Sequence, residues 1–282
     1  MELQYLGTAA AEGIPALFCQ CPLCKTARSL RGKEIRGRSG LVVDGRLMID
    51  FPPDILSYAV RFDLDLAKIK FLVVTHSHTD HFAPADLVLR LPGCYCSITD
   101  GEPVIRVYGN SEVLRLTRRA LRAEYQTDHV DFISTGLLKA FCKAELDSYE
   151  VTPLPAAHKP DEEAFIYLLQ KGGVSLLYAH DTGFFRPDVF EYLKKSKVRL
   201  DMVSLDCTCC ASKEGTAHMG LPDDLEVLKT LRSFGAVTSE TKCVISHFSH
   251  NGGMTHAQLE QEAKKHRFIA AYDGMKISLP ET

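Results

Sequence analysis

Six residues, His76-Ser77-His78-Thr79-Asp80-His81, follow directly on the apolar run Phe71-Leu72-Val73-Val74-Thr75. Three imidazoles and one carboxylate therefore leave the mouth of what reads as a buried strand. Nitrogen and carboxylate ligands suit zinc and similar divalent cations. A bend after the strand lets His76 and His78 point to one ion while Asp80 and His81 point to a neighbouring one. A centre of two metals activates water. The plainer alternative is a histidine-rich surface loop with a capping Asp, and a run this dense weighs against it.

The pattern His-x-His-x-Asp-His after a strand resembles the signature of the metallo-β-lactamase superfamily. That resemblance implies an α/β fold, a four-layer αββα sandwich, with a binuclear metal site. A binuclear site needs a third ligand for each ion and a bridge, and the chain offers candidates at the ends of later apolar runs. His158 follows the strand expected at 149–154 through Pro155-Ala156-Ala157, Asp181 follows Val174 to Ala179, and His247 follows Cys243 to Ser246. Singly, His158 also reads as an exposed loop residue and Asp181 as a turn former before Thr182-Gly183. The resemblance implies one metal on His76, His78 and His158 and the other on Asp80, His81 and His247, with Asp181 bridging. Strand alternation turns His180 to the opposite face, outside the site.

A hydroxide between two such metals is the expected nucleophile, so no catalytic Ser or Cys is required. A phosphodiester also needs a proton for its departing alkoxide, and a positioned His is the usual donor. His218, within Gly215-Thr216-Ala217-His218-Met219, is the candidate, against the alternative of a surface imidazole. Asp80, as second-site ligand, and His218 are the residues read as catalytic.

Cys19-Gln20-Cys21-Pro22-Leu23-Cys24 places three thiols within six residues, in a loop with no obvious regular structure. Three thiolates call for a fourth ligand, and a Cys3His set makes a closed, structural zinc site. His250, three residues beyond His247, is placed to complete it. Cys-x-Cys-x2-Cys with a His three residues after the last catalytic His resembles the PhnP-type phosphodiesterase branch of the superfamily, in which these residues bind a structural zinc. Such a zinc would staple residues 19–24 to the far end of the chain. An iron–sulfur cluster normally needs four thiolates at other spacings, and redox thiols or unligated thiols are the remaining alternatives. Cys207, Cys209 and Cys210 form a second cluster without an assigned role; they and Cys94 and Cys96 read as reduced residues in loops.

The fold alone does not choose a substrate. Asp80 as a ligand, the Cys loop and His218 together direct the expectation to small phosphodiesters: cyclic phosphates or 2′,3′-cyclic nucleotides. A lactonase or thioesterase would use the same metals without needing His218, and a non-catalytic accessory protein of cofactor biosynthesis would share the Cys loop. A transfer-RNA 3′-processing nuclease carries a long arm between the third His and the bridging Asp, and here only a short hairpin separates His158 from Asp181. The expected cofactors are two active-site Zn or Mn ions and one structural Zn.

The chain has 282 residues, 45% of them hydrophobic, and a formal net charge of −3. One domain spanning 1–282 is sufficient at this length. The charge disfavours a long nucleic acid as partner, and Arg115, Arg118, Arg119 and Arg122 read as the solvated face of a helix. A basic, apolar N-terminal leader and a membrane-length apolar run are both missing from the sequence. Ten cysteines in short clusters suit reduced thiols and metal binding, hence a cytoplasmic location. A homodimer is the weak expectation carried over from the family.

The elements that must position these groups are interleaved strands and helices. Strands are expected near 3–6, at 41–43 and 47–49 around the Asp44-Gly45-Arg46 turn, at 71–75, 149–154, 164–170, 174–179, 202–205 and 243–246, and closing at 275–279. Helices are expected at 54–60 with Ile55, Leu56 and Tyr58 to Val60 inward, at 111–125 capped by Ser111, near 188–195, from Pro222, and at 255–265. The segment Gly93 to Gly101 is expected to wall the pocket.

Overall fold

The computed structural model describes residues 1–212 and 216–280. Lys213, Glu214 and Gly215, which include the start of the run around His218, lie outside the described residues, as do Glu281 and Thr282.

Strand sequences here are apolar on both faces because each sheet is covered on both sides. In β2 (Gly40–Val43), β3 (Leu47–Ile49) and β4 (Phe71–Val73), Leu41, Val43, Leu47, Ile49, Phe71 and Val73 face the other sheet. Val42, Met48 and Leu72 face helices instead. The first sheet runs β14 (Lys276–Ser278), β1 (Glu2–Gly7), β2, β3, β4, β5 (Ile105–Gly109), β6 (Ile133–Leu137). The second runs β13 (Phe268–Ala270), β12 (Lys242–Ser246), β11 (Met202–Asp206), β10 (Val174–Ala179), β9 (Phe165–Lys171), β8 (Tyr149–Pro155), β7 (Ala144–Leu146).

Helices α2 (Ile55–Phe62) and α3 (Ser111–Tyr125) pack on the outside of the first sheet through Ile55, Tyr58, Val113, Leu114 and Leu121. On the second sheet, α1 (Pro22–Leu30), α4 (Pro187–Ser196), α5 (Leu221–Ser233) and α6 (His256–Lys265) contribute Ala27, Val189, Leu193, Leu228 and Leu259. The layers are thus αββα. The expected α/β sandwich is the observed one.

Strand direction explains where the site must form. β10, β11 and β12 are mutually parallel, and β8 shares their direction through antiparallel β9. Their carboxyl ends therefore open at one edge of the sheet, where ligands of open α/β sheets collect. The β9–β10 hairpin turns through Gly172 and Gly173, both at positive φ as a tight primed turn requires. The connection from His158 to Asp181 consists of residues 159–164, this hairpin and His180.

Several expectations need correction. Residues 19–24 are not wholly irregular: α1 begins at Pro22, with Cys21 as its cap. Asn110 rather than Ser111 caps α3, its side chain accepting from Glu112 N and Val113 N. On α2 only Ile55 and Tyr58 are buried, whereas Leu56 and Val60 are exposed. Segment 93–101 does not wall the metal pocket; Cys96, Ser97 and Ile98 line a separate apolar groove with Phe51 and Leu87. Strands β5, β6, β7 and β13 were not legible, since they are short or, as in β6, carry polar residues.

Candidate metal centre

β4 ends at Val73, and the chain then folds back, with Asp50 Oδ1 accepting from Thr75 N at 2.8 Å. The bend is closed by His81 N and Phe82 N donating to His78 O. This hairpin-like loop aims alternate side chains at two adjoining points. In one group, His78 Nδ1 lies 2.9 Å from His76 Nε2 and 3.1 Å from His158 Nε2. Asp181 Oδ2 lies 3.1 Å from both His76 Nε2 and His158 Nε2. In the other, His81 Nε2 lies 3.3 Å from Asp80 Oδ2, 3.2 Å from Asp181 Oδ2 and 3.3 Å from His247 Nε2. Asp181 belongs to both groups, and with Asp206, His218 and His247 it forms a further, overlapping one.

Neutral rings do not supply enough protons for these contacts, because the outer nitrogens of four of them are already engaged. His81 Nδ1 faces Asp50 Oδ2 at 2.7 Å. His76 Nδ1 faces Thr75 Oγ1, whose own proton goes to Asp50. His158 Nδ1 faces the Ala217 carbonyl at 3.1 Å, and His247 Nδ1 faces Thr208 Oγ1 at 2.8 Å and Asp206 Oδ2 at 3.2 Å. Each of these partners takes the Nδ1 proton, which leaves the Nε2 lone pairs of His76, His81, His158 and His247 pointing inward. Converging lone pairs and a shared carboxylate repel one another unless a cation lies between them. The residues present fit two divalent ions.

The backbone reflects the same demand. Asp50, Asp181 and His247 all have positive φ, between 55° and 66°. Strained conformations of non-glycine residues persist where surrounding structure over-determines them, and they cluster at functional sites. Asp206 Oδ2 accepts from Asp181 N at 2.9 Å, and its Oδ1 accepts from Thr208 N and Met219 N. One buried carboxylate thus fixes the shared Asp181, the partner of His247 and the segment after His218.

His218 sits beside the cluster, with Nδ1 at 3.1 Å from Asp181 Oδ1 and 3.6 Å from Asp206 Oδ2. The first contact is close but not aligned as a hydrogen bond. Burial lowers the His218 pKa, and the two carboxylates outweigh it, raising it to about 10. Burial pushes the His158 pKa down to about 4. A pocket of about 390 Å³ opens above, floored by His78, Asp80, His158, Asp181, His218 and His247 and flanked by Glu12 and Asn251. No Lys or Arg among the described residues lines it.

The cysteine site lies alongside. Cys19 Sγ and Cys21 Sγ lie 3.5 and 3.6 Å from His250 Nδ1, and the four ligand atoms of Cys19, Cys21, Cys24 and His250 all lie within 4.8 Å of one another. Backbone N–H groups of Cys21, Cys24 and Ala16 donate to the sulfurs of Cys19, Cys21 and Cys24. His250 and the Cys24 N–H draw the Cys21 thiol down to about 6. Such donors favour thiolates, so this set could hold a structural metal.

His180 is buried with Nε2 at 2.7 Å from Ser204 Oγ and Nδ1 at 3.1 Å from Ser39 Oγ, outside both groups. Cys207 and Cys210 are buried in the core, Cys209 lines the pocket, and Cys94 and Cys96 lie away from it. Sequence reasoning missed Asp50, Thr75, Asp206 and Thr208. The same signal that marked Asp181, a carboxylate closing an apolar strand, was present at Asp50 after Leu47–Ile49 and at Asp206 after Met202 to Leu205.

Residues 46–248 match the family model described as beta-lactamase superfamily domain. No curated protein sequence matches the chain. Among solved structures, a diphosphatase from the PhnP family is 23% identical with a TM-score of 0.72, over 99% of this chain and 98% of that one. Zn2+-bound PqqB from Methylobacterium extorquens is 18% identical with a TM-score of 0.70, over 99% and 100%. The short form of human tRNase Z is 17% identical with a TM-score of 0.64, over 99% and 100%. At these identities the likenesses establish a shared fold.

Proposed function

This chain belongs to the metallo-β-lactamase superfamily, and from that premise we propose that it is a metal-dependent hydrolase of small phosphodiesters, cyclic phosphates or 2′,3′-cyclic nucleotides among them. The observation that carries the reading is the placement of His218 in the pocket, 3.1 Å from the carboxylate shared by both ligand groups. Bound divalent ions would supply Lewis-acid activation of water and of the phosphoryl oxygens. His76, His78 and His158 would hold one, Asp80, His81 and His247 the other, and Asp181 both.

His218 then does what an ester or lactone would not require. A departing alkoxide has a high pKa and needs a proton in the transition state, which a neighbouring imidazolium donates. Asp181 and Asp206 lie 3.1 and 3.6 Å from that ring, and their negative charge favours its protonated form. The pocket is small, no basic side chain among its described residues would track a long polyanion, and the β9–β10 hairpin is short. These features favour a small diester over transfer RNA. The fold shared with a PhnP-family diphosphatase supports phosphoryl chemistry, and the fold shared with Zn2+-bound PqqB supports zinc.

The Cys19, Cys21, Cys24 and His250 set is proposed as the structural zinc. Ten cysteines in short clusters suit metal binding and reduced thiols, which supports a reducing compartment, and no described helix is long and apolar enough to cross a membrane. The test is metal content by mass spectrometry on purified protein, paired with hydrolysis of bis(p-nitrophenyl) phosphate before and after chelation. About three metals per chain, with activity lost on chelation and restored by Zn or Mn, is the result expected from the three ligand groups. Turnover of thioesters or lactones with none of any diester would overturn the phosphodiesterase reading.

A further inference from the structure

The first ligand group is assembled across the sandwich: His76 and His78 leave the first sheet, whereas His158 leaves the second. Its geometry therefore depends on how firmly two loops from different sheets are joined. Glu162 joins them. Its Oε1 accepts from Ser77 N at 2.9 Å and from Asn110 Nδ2 at 2.6 Å. Its Oε2 accepts from Ser77 Oγ at 2.5 Å and from Lys159 Nζ at 2.7 Å. Lys159 Nζ also donates to Ser77 Oγ at 3.1 Å.

Ser77 stands between His76 and His78, and Lys159 directly follows His158. The Glu162 side chain is only 4% exposed, so these contacts are little diluted by water. The carboxylate thus binds the backbone between two ligands of one loop to the residue beside the third ligand, in the other. Asn110, the cap of α3, anchors the same carboxylate to the end of β5. The second group is braced differently: Asp50 braces His81 within the first sheet's loops, Asp206 braces His247 within the second's, and the bonds that cross the sandwich beside His247 are backbone ones, from Phe248 N to Thr8 O and from Ala10 N to Phe248 O, which reach the loop after β1 rather than the 76–81 loop.

We propose that Glu162 is a positioning residue that sets the affinity of the His76, His78 and His158 site selectively, leaving the Asp80, His81 and His247 site little changed. This rests on the metal assignments above but not on the substrate. Outer partners that orient ligands typically control about 10- to 100-fold in metal affinity, and a loss of that size is expected here in one equivalent only.

The experiment is competition titration of Zn2+ into chelated, refilled protein, for wild type, Glu162→Ala and Glu162→Gln, with far-UV circular dichroism of each. Glu162→Ala should weaken one equivalent at least about tenfold and leave the others within about twofold. Glu162→Gln keeps one acceptor oxygen for Ser77 N and Asn110 and should fall between. In a His247→Ala background the substitution should weaken the remaining active-site equivalent, and in a His158→Ala background it should add little. Ser77→Ala, which removes only the hydroxyl contact, gives the same selective loss in smaller measure if Glu162→Ala does not fold. Wild-type binding in Glu162→Ala, or equal weakening of both active-site equivalents, overturns the proposal. Because Zn2+ binding is read without substrate, a failure of the diesterase assay leaves this result intact.

Discussion

Asp50 Oδ2 lies 2.7 Å from His81 Nδ1, with both side chains shut off from solvent at 0% exposure. The carboxylate accepts the imidazole proton and so turns the Nε2 lone pair toward Asp80, Asp181 and His247. Asp50→Asn would set an amide N–H against that proton. Metal affinity of the second group should fall by about 10- to 100-fold, measured by Zn2+ competition. Unchanged affinity would mean that His81 is oriented by packing alone.

His218 should matter in proportion to how poor the leaving group is. An alkyl phosphodiester requires a donated proton, whereas p-nitrophenolate departs without one. His218→Asn should therefore lower kcat on an alkyl diester by about 10²- to 10⁴-fold and affect bis(p-nitrophenyl) phosphate far less. Equal losses on both substrates would place His218 in metal or substrate positioning instead.

The cysteine site should act as a removable staple. Cys24→Ala should lower the metal content by one per chain and lower Tm, while the active-site equivalents persist. Chelated wild type and chelated variant should melt at nearly the same temperature, because the difference between them is metal-binding free energy. A Tm gap that survives chelation would show that Cys24 stabilises through core packing.

His256 supplies a dependence of stability on pH. Burial lowers its pKa, and Arg36, whose Nη2 donates to its Nδ1 at 2.9 Å, lowers it further, to about 4. Between that value and the ordinary histidine range near 6.5 the unfolded chain binds more protons than the native one, so stability rises with pH there. Its contribution is complete above about pH 6.5 and is lost as pH falls toward 4. His256→Asn keeps an acceptor for Arg36 and does not titrate. The Tm advantage of chelated wild type over this variant should shrink from pH 7 to pH 4; parallel curves would remove His256 as the cause.

Groups within a few positions of one another were legible from sequence. The 76–81 loop and the 19–24 loop hold their donors locally, and the continuous apolar runs of β4, β10, β11 and β12 announce strands covered on both faces. His158, Asp181 and His247 were legible one step less directly, as donors at strand ends that the family's order brings into a set. Short strands such as β7 and β13 were not, because three residues carry too little periodicity to stand out from a loop.

Sequence by itself therefore determined many of the strands, the donors and their order along the chain, because burial is written in local pattern, and the sandwich followed from the family resemblance that those donors carry. The resemblance implied that Asp181 is shared by both groups, whereas only the tertiary structure decided that Asp50, Asp206 and Glu162 brace them. Those relationships join residues from different loops, 85 positions apart in the case of Ser77 and Glu162. The physical reason is that a hydrogen bond across the sandwich depends on where two loops meet in space, and neither loop's sequence carries the other's coordinates.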